Sequence, residues 1–273
     1  MVIFPNCKIN LGLHILRKRS DGFHDLETVF YPVPLQDALE IMPQATSFND
    51  PVRLSVSGDA IDVPPTNNIC YKAYGLLKAD FPALPPVQMH LHKLIPSGAG
   101  LGGGSADGAF TLLLLNSQFG LGLSEAQLME YALQLGSDCP FFIRNRPAYA
   151  LGRGERLEDI PLDLSGWSIV LVNPRIHVNT GWAFSRIKPT EDRPAIKEIV
   201  SRPVQSWKGE LINDFEEVVM TEHPPVRAIR DALYEQGAAF AAMSGSGSTV
   251  FGLFPKTLVF QSNFPAHYFI RQV

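Results

Sequence analysis

From Lys8 to Ile15 polar and apolar residues alternate, with Lys8, Asn10, Gly12 and His14 on one face and Ile9, Leu11, Leu13 and Ile15 on the other. That period of two predicts a strand with one face in the core and the other available. Residues 26–33 read as a second strand after the turn dipeptide Asp21-Gly22, and the two are expected to form a hairpin or a longer β connection. "VQMHLHKLI", residues 87–95, alternates again and runs straight into Pro96 and a cluster of glycines. Beyond Ser105 the stretch "ADGAFTLLLLNSQFG" is long, apolar and closed by Gly120, the profile of a buried helix with a glycine stop. A second helix opens at the N-cap Ser124, carries Leu128, Ala132 and Leu135 at core spacing, and stops at Gly136. Strands are expected at 148–152, before the turn "GRGE", and at 167–174. Pro224 and Pro225 precede an amphipathic helix with Val226, Ile229 and Leu233 on one face, ending at Gly237. "AAFAAMSGSGSTVFGLF" reads as strand, glycine-serine turn, strand. Charge and proline content rise near 155–165, which divides an α+β chain into lobes of residues 1–158 and 159–273.

Composition narrows the partners. With 273 residues, 45% apolar and 18% charged, the chain can bury a sizeable core. A net charge of -4 carries no basic excess, so neither a nucleic-acid backbone nor an anionic membrane is expected as a partner. Any polyanion it binds is small and held locally. Cys7, Cys70 and Cys139 are odd in number and in no metal-ligand spacing, which fits buried thiols in a reducing compartment. Pro5, Asn6, Lys8 and Asn10 interrupt any apolar leader, and no run approaches the roughly 20 apolar residues of a membrane span. A cytoplasmic location is expected.

The glycine cluster carries the chemistry. Residues 98–108 hold six glycines in front of a helix. Unpaired amides at a helix start, with the helix dipole behind them, favour an anion, and glycines admit phosphate oxygens without a Cβ in the way. Gly98, Gly100 and Gly103 satisfy the dinucleotide fingerprint, but the region about twenty residues on enters a helix rather than a strand ending in an acidic residue. The loop has no lysine of the Walker type, and no protein-kinase catalytic motifs occur. His90 and His92 place two imidazoles on one strand face without a third metal ligand and are read as polar-face histidines.

"PSGAGLGGGSADGAF" (96–110) resembles the phosphate loop of the GHMP small-molecule kinases. "PNCKINLGLHILRKRSDGFHDL" (5–26), "LGSDCPFF" (135–142) and "MSGSGSTVFGLF" (243–254) resemble further motifs of that superfamily, in the same order over nearly the whole chain. They are most similar to the branch acting on a cytidine diphosphate-linked methylerythritol. The resemblance implies a two-lobed fold, an N-terminal α/β lobe with the ATP loop and a ferredoxin-like C-terminal lobe, and an active cleft between them. It implies ATP and Mg²⁺ as cofactors and phosphorylation of the 2-hydroxyl of 4-diphosphocytidyl-2-C-methyl-D-erythritol.

Residue by residue, the resemblance places Asp138 as the base that accepts the substrate hydroxyl proton and Lys8 as its electrostatic partner. It places Asn68 and Lys93 near adenine, and Pro96, Gly98, Gly100, Gly102, Gly103, Gly104 and Ser105 around the phosphates. Phe23 would stack on cytosine, His24 would hydrogen-bond the base edge, and Phe184 would supply a second aromatic, with Trp182 competing for that role. Asn10, Thr180 and Gly245 are placed near the substrate, and no protein cage is expected for the metal. A GHMP kinase for an alcohol without a cytidine handle, a catalytically silent nucleotide sensor on the same fold and a dinucleotide-dependent oxidoreductase are the competing readings.

Overall fold

A computed structural model describes residues 1–44, 50–59, 63–190 and 192–273, which fall into two compact units. The first comprises Met1–Cys7, Pro34–Ser97 and Gly102–Arg146, and the second Lys8–Val33, Gly98–Leu101 and Pro147–Val273.

In the first unit a four-stranded sheet runs in the order β1 (Val2–Ile3), β4 (Ala38–Pro43), β6 (Val87–Lys93), β5 (Val52–Gly58). The β5–β6 pair is parallel and the others antiparallel. The helices are α1 (Ile69–Asp80), α2 (Gly103–Phe119), α3 (Glu125–Leu135) and α4 (Cys139–Arg144), with α2 packed on α1, α3 and α4. α2 is buried on most of its circumference, from Ala106 through Leu112 and at Leu114 and Leu115, which makes it the central helix of the unit. It ends, as expected, at Gly120 in a left-handed conformation. It starts at Gly103, three residues before the apolar run that announces it, so Gly103, Gly104 and Ser105 form its first turn. The Ser124 start of α3 is a capping box: Ser124 accepts from Gln127 N–H and the Gln127 side chain reaches back. α1, β4 and β5 are not among the expected elements, although each carries its period: Cys70, Ala73, Tyr74 and Leu77 lie at helical spacing, Leu39 and Ile41 alternate, and Val52, Leu54 and Val56 alternate with Arg53, Ser55 and Ser57.

In the second unit β9 (Trp167–Asn173), β10 (Phe240–Met243), β11 (Val250–Pro255) and β12 (Phe269–Gln272) form an antiparallel sheet in the order β10-β11-β9-β12. The helices α5 (Thr180–Arg186), α6 (Ile196–Val200), α7 (Phe215–Glu222) and α8 (Pro224–Glu235) follow β9, and α8 packs on β10 and β11 through Val226, Ile229 and Leu233. A further sheet runs β2 (Asn6–Lys18), β3 (His24–Gln36), β7 (Ala148–Gly152), β8 (Arg156–Asp159), with β2 and β3 contributing their residues 8–33 to this unit. β2 and β3 are neighbours joined by a tight turn at Arg19–Phe23, the hairpin that the Asp-Gly dipeptide predicts.

One expectation fails on β2. Residues 6–15 are buried on both faces, not on one. The polar face is covered because each of its side chains finds a fixed partner. His14 Nδ1 lies 2.8 Å from Glu27 Oε1, and Glu27 also accepts from the Tyr149 hydroxyl and from Ile196 N–H at 3.1 Å. Burial works against the charged form of Glu27, yet these bonds hold its carboxyl below the usual range. Gly12 lies under Leu211, so that face has no room for a larger side chain.

Candidate active site

On the first unit the site is built at the start of α2. Gly102 takes the left-handed conformation before the helix, no side chain caps the first turn and no acidic residue occurs in it. The first intrahelical bond is Ala106 N–H to Gly102 O, so the amides of Gly103, Gly104 and Ser105 have no partner within the helix. Gly104 is exposed with open space at its Cβ position. Bare amides without a competing carboxylate fit a phosphate chain. Gly103 has a different reason: a Cβ there would stand 2.7 Å from Ile95 Cγ2, so glycine is what lets α2 sit on the end of β6.

Ser105 hydrogen-bonds the thiol of Cys139, whose pKa burial pushes up to about 12, leaving it an inert thiol. Cys139 follows Asp138 directly, so this bond brings the half-buried Asp138, at the head of α4, to the first turn of α2. Asn68 caps α1 by accepting Cys70 N–H at 2.9 Å, and its NH2 group makes no hydrogen bond among the described residues. Lys93 is not free: its ammonium is held by Asp37 and, at 2.7 Å, by Asp107. Burial, only partly offset by Lys93, raises the Asp107 carboxyl to about 7. Pro96 is buried where β6 hands over to the loop.

On the second unit Lys8 is tied to the glycine loop, its backbone N–H donating to Leu101 O at 2.9 Å. Its ammonium donates to Asn10 Oδ1 and lies 4.7 Å from the centre of the Phe30 ring. Asn10 Nδ2 donates to Thr28 Oγ1 at 3.0 Å, so the amide of Asn10 is engaged at both ends and orients Lys8. Ser244, which sequence reasoning missed although it lies in the third glycine motif, joins three segments. Its hydroxyl donates to Gly100 O at 2.8 Å and accepts from Asn10 N–H at 3.1 Å. A Cβ on Gly100 would stand 2.0 Å from Ser244 O, and Gly100 has φ +79°, so both contact and backbone demand glycine there. Gly245 packs against Gly100 and Asn10 Oδ1. Gly98 is exposed near His177, and Thr180 Oγ1 is 2.9 Å from Ser246 Oγ.

The aromatic residues divide. His24 stacks on Phe184 with ring centres 4.8 Å apart, and Trp182 lies 6.3 Å from His223. Desolvation, with Lys18 nearby, lowers the His24 pKa and favours the neutral ring, which offers one donor and one acceptor. Phe23 is 53% exposed, with the Arg153 guanidinium 4.9 Å over its face, a cover that nothing in "DGFH" announces.

Residues 68–146 match the GHMP kinases N terminal domain, and residues 194–260 the GHMP kinases C terminal domain. Over 270 residues, 97% of each chain, the sequence is 52% identical to a Bacteroides fragilis protein named 4-diphosphocytidyl-2-C-methyl-D-erythritol kinase. The chain belongs to the GHMP kinases. A crystal structure of 4-(cytidine 5'-diphospho)-2C-methyl-D-erythritol kinase resembles this GHMP kinase with a TM-score of 0.78 and 31% identity, covering 93% of this chain and 90% of that one. The mevalonate kinase of Methanococcus jannaschii shares the fold, with a TM-score of 0.71 at 13% identity over 94% of this chain and 92% of its own. The two-lobed α+β class that the motifs imply is thus the GHMP kinase fold, and the chain is an ATP-dependent small-molecule kinase.

Proposed function

We propose that this GHMP kinase transfers the γ-phosphoryl group of ATP to the 2-hydroxyl of 4-diphosphocytidyl-2-C-methyl-D-erythritol, a step of non-mevalonate isoprenoid precursor synthesis. The observation that carries this reading is 52% identity over 97% of the chain to a relative of that name. The His24–Phe184 stack supports it, since an apolar ring face beside an imidazole with a polar edge suits a cytosine ring. In this reading the amides of Gly103, Gly104 and Ser105 hold the phosphates, and Asn68 offers its NH2 group to adenine. Asp138 accepts the hydroxyl proton late in the transfer, when the oxygen has become acidic. Lys8, oriented by Asn10, keeps Asp138 ionised and offers charge to the moving phosphoryl group. Phe23, Thr180 and Gly245 line the substrate. No group of three or more His, Cys, Asp or Glu among the described residues is arranged to hold a metal. In this reading Mg²⁺ is carried on the nucleotide phosphates. Bound Mg²⁺ would supply charge neutralisation at the transferring group. No helix among the described residues is long and apolar enough to cross a membrane, and we place the enzyme in the cytoplasm.

ATP consumption across a panel of cytidylylated and plain alcohols, followed by assignment of the phosphorylated position, tests the proposal. The expected result is turnover confined to the cytidylylated alcohol, with the phosphate on its 2-hydroxyl and competition by CDP. Equal turnover of plain alcohols without CDP competition would replace it with a GHMP kinase of different substrate.

A further inference from the structure

Asp37 stands between β3 and β4, and one oxygen of its buried carboxylate accepts two backbone amides, Leu94 N–H at 2.6 Å and Ile95 N–H at 2.8 Å. The other oxygen takes the ammonium of Lys93, and the same ammonium reaches Asp107 Oδ2 at 2.7 Å. Leu94 and Ile95 are the residues by which the chain enters the glycine loop; Asp107 is in the second turn of the helix by which it leaves. One ammonium therefore ties the entry of the loop to its exit. The side chains of Lys93, Asp37 and Asp107 are 1%, 0% and 2% exposed. Burying two carboxylates with one ammonium is costly, and Asp107 Oδ1 has no hydrogen-bond partner among the described residues. Apolar side chains of the same volume would fill this space at lower cost, but their contacts have no direction and would resist rotation or sliding of α2 far less. Gly103 packs on the tie itself, its Cβ position 2.7 Å from Ile95 Cγ2 and 3.5 Å from Lys93 Nζ.

We propose that Asp37, Lys93 and Asp107 form a positioning triad for the nucleotide. Its directional bonds lock α2 against the end of β6 so that the amides of Gly103, Gly104 and Ser105 present one fixed geometry to the phosphates. Lys93 acts on the nucleotide through the helix and not through the adenine ring. The inference rests on the kinase reading above and deepens it.

Binding of ADP and of adenosine, measured by calorimetry on wild type, Asp107→Asn and Lys93→Met, separates the two roles. Both variants keep the glycine and serine amides; Lys93→Met removes the ammonium from both carboxylates, and Asp107→Asn takes the carboxylate charge out of its bond to Lys93. The expected loss is about tenfold or more in ADP affinity, with adenosine affinity within about twofold of wild type. The KM for ATP should rise in parallel. Loss of adenosine and ADP affinity in equal proportion would show Lys93 reading adenine, and wild-type ADP affinity in both variants would show the tie to be idle; either result overturns the triad. If Lys93→Met, with two carboxylates left unpaired, does not fold, Asp107→Asn carries the test because it keeps the Lys93–Asp37 pair. A wild-type protein that neither binds ADP nor consumes ATP with any alcohol would instead sink the kinase reading.

Discussion

At Gly103 and Gly104, neighbours in the first turn of α2, the same substitution has opposite consequences. A methyl group at Gly103 meets Ile95 at 2.7 Å, and Gly103→Ala should cost about 1–3 kcal/mol of stability, read from the midpoint of denaturant unfolding. Gly104 has open space and a helical backbone, so Gly104→Ala should be neutral or stabilising by roughly 0.5–1 kcal/mol while raising the KM for ATP, because its Cβ stands where phosphate approaches. Both glycines are legible in the sequence as members of the loop. Their division of labour is not, since it depends on which of them lies over Ile95. Asp138→Asn keeps the shape of the side chain and removes its basicity; kcat should fall about 10²–10⁴-fold with little change in either KM, measured by ADP release. A fall in kcat smaller than tenfold would remove Asp138 from the role of base.

At the scale of elements, β6 and α2 meet over a carboxyl whose pKa is raised, and the sign of its effect on stability follows. Asp107 binds its proton more tightly in the folded chain, at about 7, than an unfolded aspartate does near ~3.9. Its contribution to stability is therefore complete below ~4, is lost progressively as pH rises and is gone above about 7. Other carboxylates titrate over part of this window, so the comparison is with Asp107→Asn. Between pH 5 and 7.5 wild type should lose ~1–3 kcal/mol more stability than the variant, seen in paired thermal melts. Parallel profiles would mean that Asp107 is ionised throughout. The elements themselves were largely readable. The β2–β3 hairpin, α2, α3, α8 and the β10–β11 pair follow from alternation, helical spacing and turn residues. α1 and α4 were not, although Asn68 and Asp138 at their heads are residue types that start helices: α4 has only six residues, too few to show a helical period, and Cys70, Ala73, Tyr74 and Leu77 make the apolar stripe of α1 faint.

For the whole molecule, the proposed reading carries Mg²⁺ on the nucleotide phosphates rather than in a protein site. Mg²⁺ alone should leave the melting temperature unmoved, ATP with Mg²⁺ should raise it, and a chelator should abolish turnover until Mg²⁺ is restored in excess. A rise on adding Mg²⁺ without nucleotide would reveal a protein site. Four segments in fixed order were enough to give the superfamily and the fold class through their resemblance to the GHMP motifs, and the glycine cluster before a helix by itself gave an anion-binding helix start, because phosphate binding needs bare amides. What only the tertiary structure decided is which polar side chains are spent inside the protein. Asn10 is bonded at both ends, Lys93 is enclosed by two carboxylates, Ser244 joins the glycine loop to β2, and His24 lies on Phe184. Periodicity tells a buried face from an exposed one through apolar content. It is blind to a polar face that has been buried by pairing, because each partner comes from a segment distant in the chain, and only folding brings the two together.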